Sequence, residues 1–426
     1  MKRNALLLGN GGRESALAYK LNSERVLVHS YPQNPTLSKY AIKAELDKDN
    51  LFNSVLNYVR EEEIQIVIVG PEAYLADGIV DFLEANKIRV FGPSLSAAKI
   101  ETDKSFAKNL MNANNIPTAS FDIANSKDIC IAKAKKYSFP FILKVSGLAA
   151  GKGTFIVKNK EDLDKSIKKI YETKQFEKSN SKVIIEEFLK GEEISLFVIT
   201  DGENILPLPP VQDFKRAYDN DLGPNTGGMG SYGPCGLLSP SIESKTIEAV
   251  ILPVLSAMKR DGNPFKGLLY AGLMVDSSNV KVVEFNARFG DPETQSLICI
   301  LNSSLYDIFM DVAEGHLSTK GLETNGMSAV TVVIAAEGYP EEYKRSIEIS
   351  IDENKFDKNT IIFHAGTKEE DDRIISTGGR IIDVTSFDTG LKKTIDKVYN
   401  NIDKIKVENS FYRKDIGKKG LKYENK

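Results

Sequence analysis

The sequence predicts a multidomain chain of the α/β and α+β classes: a parallel-sheet amino-terminal domain, a central part built on antiparallel sheet, and a mixed, β-rich carboxy-terminal domain. Three observations predict it. The first hundred residues alternate short apolar runs with amphipathic stretches, the rhythm changes to strand-turn-strand from Phe139, and a third pattern of mixed strands and one helix begins after about residue 327. At 426 residues the chain has the length of two to four compact units with ample core.

In order, "ALLLG" then "ESALAYKL", "IQIVIVGPE" then "LADGIVDFLEANK", and "IRVFGPS" read as buried strands each followed by a helix, the pattern of βαβ units. "VFGPSLSAAKIETDKSFAKNLMNANNIPTASF" has helical spacing, and "NNIP" stops a helix before Pro117. "FPFILKVS" and "GTFIVK" flank a glycine-rich turn as a hairpin; "KVIIEEFL" and "EEISLFVITDG" read as another. A glycine-rich stretch, "VQDFKRAYDNDLGPNTGGMGSYGP", precedes a helix near residues 241–260 and the strands of "GLLYAGLMVDSSNVKVVEFNARFGDPETQ". "AVTVVIAAEGYP", "TIIFHAGTK", "GGRIIDVTSF" and "GLKKTIDKVYNNIDKI" complete the chain, and "YETKQFEKSNSK" (Tyr171 to Lys182) reads as an exposed loop.

Composition excludes several classes. Hydrophobic residues are 41% and charged residues 27%, which fits a globular protein rather than a disordered or collagen-like one. A net charge of -3 gives no electrostatic reason for nucleic acid or anionic membrane as a partner, so small soluble ligands are expected. Cys130, Cys235 and Cys299 lie far apart, without the spacing of a zinc site or a disulfide framework. No stretch reaches the roughly 18 apolar residues of a membrane helix, and charged and glycine residues interrupt the opening "MKRNALLLGNGGRE" before a signal-peptide core. A cytoplasmic location follows as the expectation.

"KVSGLAAGKGTFIVK" (Lys144 to Lys158) invites comparison with a Walker loop, but only three residues separate Gly147 from Gly151, Lys152 is followed by Gly153, and both flanks read as strands. The segment is therefore a hairpin tip, either a mobile surface turn or a flap over nucleotide phosphates. In "VKVVEFNARFGDPE", strand alternation places Glu284, Asn286 and Arg288 on one face and Val283, Phe285, Ala287 and Phe289 on the other. Glu284 and Asn286 are hard-oxygen ligands suited to Mg²⁺, although a half-exposed strand with ordinary polar residues accounts for them equally well. Glu186 and Glu187 end one strand while Glu192 and Glu193 begin the next, either an exposed charged hairpin or one that meets adenine and ribose. "GPNTGGMGSYGP" is rich enough in glycine for its backbone amides to approach an anion. Gly9, Gly11 and Gly12 fall between a strand and a helix, where a phosphate can bind; the G-x-G-G spacing is not that of a dinucleotide fold.

Together these segments resemble the glycinamide ribonucleotide synthetase (phosphoribosylamine-glycine ligase) family of ATP-grasp enzymes. The likeness runs through "LLLGNGGRESALA", "VGPEAYLADGIVDFL", "VFGPS", "KVSGLAAGKG", "VIIEEFLKGEE", "QDFKRAYDNDLGPNTGGMGSYGP", "EFNARFGDPETQ", "FHAGTK", "GGRIIDV" and "YRKDIG", nearly the whole chain. It implies a pre-ATP-grasp domain at residues 1–103, an ATP-grasp domain at 104–326 with a hairpin lid at about 120–190, and a carboxy-terminal domain at 327–426. No further catalytic domain is expected beyond "YRKDIG".

The resemblance also implies roles. Lys104, Lys144 and Lys152, with Gly151 and Gly153, would hold ATP phosphates; Glu186, Glu187 and Glu193 would surround the adenosine; Glu284 and Asn286 would bind Mg²⁺ (or Mn²⁺). Gly11, Gly12, Arg13, Glu14, Asp213, Lys215, Asn225, Thr226, Gly227, Gly228, Met229 and Gly230 would form the phosphoribosylamine pocket. Arg288, with Asp291, Pro292, Glu293 and Thr294, would lie near the glycine carboxylate or acyl phosphate. Arg288, Lys152 and Asp213 are the expected catalytic residues. The implied reaction joins glycine to 5-phosphoribosylamine through glycyl phosphate, with no nucleic-acid or membrane partner and a monomer or weak homodimer as the unit. Ser15, where a histidine is usual, Tyr74, where a proline is common, and "YPQNPTLSKY", which lacks the usual glycines, depart from the pattern. The alternatives are another ATP-grasp ligase of purine metabolism, carboxylating or formylating, a nucleotide-binding module without turnover, and a dehydrogenase resting on "GNGGRE" alone.

Overall fold

The computed structural model describes residues 2–147, 153–173, 176, 182–277, 279–318 and 321–424. Strands β1 (Asn4–Leu8), β2 (Leu27–Tyr31), β3 (Ile42–Lys43), β4 (Ile66–Val69) and β5 (Val90–Phe91) form a parallel sheet in the order β3-β2-β1-β4-β5. β1 and β4 are buried at every position, as strands covered on both faces must be. Strand order reverses between β1 and β4, so their carboxyl ends open on the crevice where α/β sheets bind ligands.

Strands β6 (Phe121–Ala124), β7 (Phe141–Val145), β8 (Thr154–Val157) and β9 (Val183–Glu187) form an antiparallel sheet in the order β6-β9-β7-β8. The helices Lys127–Ala134 and Lys160–Glu172 pack Cys130, Ala134, Ile167 and Ile170 against Phe141, Leu143, Val157 and Ile185. That small core is separate from the two larger ones. β7 and β8 pair from Phe141↔Val157 to Lys144↔Thr154, the expected hairpin; Gly151 and Lys152 at its tip lie outside the described residues. So does part of the Tyr171 to Lys182 stretch.

The next strands are β10 (Glu192–Thr200), β11 (Ile205–Pro207), β12 (Gln212–Asp213), β13 (Arg216–Tyr218), β14 (Leu222–Asn225), β15 (Gly230–Gly233), β16 (Gly267–Asp276) and β17 (Asn279–Asn286). β11-β10-β16-β17 make one antiparallel sheet. This corrects the second expected hairpin, because β9 and β10 belong to different sheets. Gly191, at φ 137°, lies so close to Val275 O that a Cβ would come within 2.4 Å of it, and the chain there passes across into the second sheet instead of folding back. The helical stretch after β15 is Pro240–Thr246, a π turn at Ile247–Ile251 and Leu252–Arg260; the wide turn accommodates Pro253, which has no N–H to donate.

Strands β18 (Ser328–Ala336), β19 (Glu348–Ser350), β20 (Thr360–His364), β21 (Thr367–Glu370), β22 (Arg373–Ser376), β23 (Arg380–Asp388) and β24 (Lys406–Val407) complete the chain's larger sheets. The path β12-β15-β18-β23-β20 carries two short strands from the central stretch into the carboxy-terminal sheet, while β21-β22-β19-β24 form a smaller one. That shared sheet brings the start of β23 to the loop between β14 and β15.

Candidate active site

A cavity of about 740 Å³ lies where these layers meet, within the size range of small-molecule sites. The loop after β1 supplies Gly9, Asn10 and Gly11, and that after β4 supplies Pro71, Glu72 and Tyr74. Lys104 and Lys108 enter from the helix Lys104–Ala113, whose amino end Asp103 caps by accepting from the Ser105 and Phe106 amides.

At one end, Lys144 projects from the middle of β7, donates to Val283 O at 3.1 Å and pairs with Glu186. Glu186 also meets Lys108 Nζ at 2.6 Å, and Lys108 donates to Thr118 Oγ1 at 2.8 Å. Burial opposes the charge on Lys144, but Glu186 and Glu284 outweigh it and raise its pKa; burial wins at Lys108 and Lys104, whose values fall. Glu186 therefore stands behind the cavity wall and sets two wall lysines in place. Glu187 is farther out, bonded to Lys281 at 2.7 Å and to the Ser120 amide at 3.1 Å.

Next to Lys144 in the wall, β17 presents Glu284 and Asn286, followed by Arg288. The expected alternation is not kept strictly: Val283 and Phe285, expected on the opposite face, both line the cavity. Opposite Gly272 and Leu273 the register slips between Val282 and Glu284, so Val283 bulges into the cavity wall while Val282 packs inward. Lys215 lies 3.2 Å from Glu284 Oε1 and is also bonded to Glu193. Burial alone would raise the Glu284 carboxyl, but Lys215, Lys144 and Lys104 bring it down to about 2, so it is ionised. An ionised carboxylate beside the Asn286 amide fits Mg²⁺, which takes few protein ligands and fills the rest from phosphates and water. No group of three or more His, Cys, Asp or Glu placed to hold a metal ion occurs among the described residues.

Arg288 is gripped from two other elements: its Nε donates to Glu72 at 3.2 Å, its Nη2 meets Glu101 at 2.8 Å, and its Nη1 donates to Phe289 O at 3.2 Å. Glu101 in turn accepts from the Ala287 amide at 2.7 Å. Burial would raise Glu72, yet Arg288 and Arg13 hold it at about 2.

Two anion sites read from the sequence are already occupied by protein groups. At the helix Gly12–Ser23, the Gly11 amide donates to Glu14 Oε2 at 2.7 Å and the Arg13 amide to Asp291 Oδ2 at 3.3 Å. In the glycine-rich loop, the amides of Thr226, Gly227, Gly228 and Met229 donate to Lys215 O, Tyr339 Oη, Thr226 Oγ1 and Phe214 O. These amides are already taken by acceptors of the protein itself. Asp213 lies beside this loop; its Oδ1 is buried and makes no hydrogen bond among the described residues, and burial with the neighbouring Glu293 charge pushes its carboxyl well up.

Of the residues expected from the sequence, the wall brings together Gly11, Arg13, Glu14, Lys104, Lys144, Gly153, Glu193, Asp213, Lys215, Asn225, Thr226, Gly227, Glu284, Asn286, Arg288, Asp291 and Glu293. Gly12, Glu186, Glu187, Gly228, Met229, Gly230, Pro292 and Thr294 are not in it. Gly12 is pressed against Asp383, and the Met229 and Thr294 side chains are fully buried. Ser15 faces away too, donating to His364 O at 2.6 Å, whereas Tyr74 lines the cavity. Sequence reasoning missed Glu72, Glu101, Lys108, Tyr270, Tyr339, Tyr343 and Arg380. Glu72 carried a signal, its place just after a buried strand in "IVIVGPE", and Arg380 stood in "GGRIIDV". No described helix is long and apolar enough to cross a membrane.

Three family models match consecutive stretches: phosphoribosylglycinamide synthetase, N domain, at residues 3–101; its ATP-grasp (A) domain at 102–294; and its C domain at 329–419. The chain is 38% identical to the phosphoribosylamine–glycine ligase of Leptospira interrogans over 430 residues, covering 99% of this chain and 100% of that one. The crystal structure of phosphoribosylamine–glycine ligase from Thermotoga maritima superposes with a TM-score of 0.84 at 31% identity, over 97% of this chain and 100% of that one. Biotin carboxylase from Campylobacter jejuni, at 16% identity and a TM-score of 0.74 over 97% and 94% of the chains, shares the fold. Motifs, cavity and matched domains along nearly the whole length agree: the chain belongs to the phosphoribosylglycinamide synthetase family.

Proposed function

We propose that this cavity joins glycine to 5-phosphoribosylamine at the expense of ATP, releasing glycinamide ribonucleotide, ADP and phosphate through a glycyl phosphate intermediate. As a member of its family the chain is an ATP-dependent ligase of purine biosynthesis. The observation that supports the mechanistic reading is the gathering of Lys104, Lys144, Glu284, Asn286 and Arg288 in the wall of one cavity.

Glycine's carboxylate cannot acylate an amine directly, because oxide would have to leave; transfer of ATP's terminal phosphoryl makes phosphate the leaving group instead. Such transfer depends on alignment and neutralisation of charge. Lys104 and Lys144 supply positive charge toward the phosphates, and Lys152 and Gly151 are assigned there on the resemblance alone. Mg²⁺, held by Glu284 and Asn286, would neutralise and orient the phosphoryl oxygens. Arg288, fixed by Glu72 and Glu101, keeps a rigid cationic edge at the place assigned to the amino acid's carboxylate. The β6–β9 layer, with its own core, is the part able to close over the nucleotide and exclude water from the acyl phosphate.

The test is ADP release from Mg-ATP. It is expected only when glycine and phosphoribosylamine are both present; release driven by bicarbonate or formate instead would replace this reading with a carboxylating or formylating one.

A further inference from the structure

We propose that Arg380 binds the phosphate of phosphoribosylamine through its Nε–Nη2 edge, so that the carboxy-terminal domain supplies a substrate contact. The inference rests on the ligase reading above. A phosphomonoester needs donors and positive charge, and the Gly11 and Arg13 amides and those of Thr226 to Met229 are already taken by Glu14, Asp291, Tyr339 and the loop's own acceptors.

The cations at this end of the cavity are not equally available. Arg288 has all three of its guanidinium nitrogens engaged, and Lys215 is shared between Glu193 and Glu284. Arg13 is buried, with Nε on Glu14 at 2.6 Å and Nη1 on Phe289 O at 3.0 Å, which among the described residues leaves Nη2 alone and no free edge of two nitrogens. Arg380 differs. Its Nη1 alone is bonded, to Gly227 O at 2.9 Å, to Asp291 O at 2.5 Å and, as an ion pair, to Asp291 Oδ1 at 3.3 Å. Among the described residues its Nε and Nη2 make no hydrogen bond, although the residue lines the cavity. A guanidinium anchored by one nitrogen and open along the opposite edge matches two phosphate oxygens at once.

Tyr339 completes the site. Its hydroxyl accepts from the Gly227 amide at 3.1 Å and keeps its own proton as a donor, and its ring packs so tightly on Gly379 that a Cβ there would lie 2.1 Å from Tyr339 Cδ2. Asp291 weakens the local positive charge, but its carboxylate is shared with Gln295 Nε2 at 2.9 Å and the Arg13 amide at 3.3 Å.

Ribose 5-phosphate, stable and carrying the same phosphate, is the probe, with binding measured by calorimetry beside ribose and ATP. Arg380→Gln should weaken ribose 5-phosphate roughly tenfold or more, and Arg380→Lys should weaken it less, with ATP binding unchanged in both. The KM for phosphoribosylamine should rise while those for ATP and glycine stay put, a split that a merely structural role would not give. Arg380→Lys carries the test should Arg380→Gln not fold. A folded variant that binds ribose 5-phosphate like the wild type overturns the proposal, as does an equal rise in all three KM values. Wild-type protein that makes product yet binds no ribose 5-phosphate also overturns it; wild-type protein that makes no product brings down the ligase reading as well.

Discussion

The Lys215 ammonium stands 3.2 Å from the Glu284 carboxylate and is bonded to Glu193 at the same time, tying the start of β10 to the end of β17. With Lys144 and Lys104 it brings Glu284 to about 2 against the opposing effect of burial, so this carboxylate is charged at any physiological pH. Glu284→Gln keeps the shape and removes the charge. The concentration of Mg²⁺ needed for ADP formation should rise roughly tenfold or more, and Mn²⁺ binding measured by paramagnetic resonance should weaken in parallel. Unchanged metal affinity in that variant would place the cation elsewhere.

Glu186 separates two buried ammonium groups, Lys108 at 2.6 Å and Lys144. Glu186→Gln would leave two like charges in a poorly solvated wall, and breaking a buried pair in this way costs about 3 kcal/mol or more. Lys108→Met leaves the Lys144 pair whole and should cost less. Urea unfolding compares the two variants, and nucleotide titration should show weaker ATP binding for Glu186→Gln. A larger loss from Lys108→Met would mean that Lys108, not Glu186, organises the cluster.

Arg288 and Glu72 join the central domain to the amino-terminal one at 3.2 Å. Glu72 moves from its ordinary 4.5 to about 2: burial pushes upward, and Arg288 and Arg13 more than reverse it. A depressed carboxyl stabilises the fold fully above its unfolded value, and that contribution is lost as pH falls from about 4.5 toward 2. Glu72→Gln should therefore be less stable than wild type at pH 7 and converge with it toward pH 2 in thermal unfolding. Parallel curves over that range would remove Glu72 from the account.

How far the sequence foretold this site depended on whether the cause was local. β1 and β4 were legible because burial on both faces leaves continuous apolar runs, and Glu284, Asn286 and Arg288 because strand alternation sets them two apart. Val283 was not, since the bulge depends on the partner strand at Gly272 and Leu273. The separation of β9 from β10 was hidden for a similar reason: which sheet a strand joins is settled by residues far along the chain, here Val275 against Gly191. Arg380 and Tyr339 reach the cavity only because β15 pairs with β18 and β18 with β23. No short motif records that.

Asp383, beneath Gly12, accepts from Gln295 Nε2 at 2.8 Å through Oδ2, while its buried Oδ1 makes no hydrogen bond among the described residues. Burial, and next the charge of Asp291, push this carboxyl up from 3.8 to about 7. Unfolded, it ionises near its ordinary value, so between those two pH values the folded chain holds a proton that the unfolded chain has released. Stability must then fall as pH rises through that window, by an amount on the order of a few kcal/mol, and level off above it. Asp383→Asn removes the titration: it should melt higher than wild type at pH 8 and close to it near pH 4, with the wild-type slope flattened in between. Because Gln295 also holds Asp291, and Asp291 holds Arg380, the same variant should bind ribose 5-phosphate almost as the wild type does if Asp383 acts on stability alone. A melting temperature whose pH slope survives the substitution would show that the extra proton sits on another group.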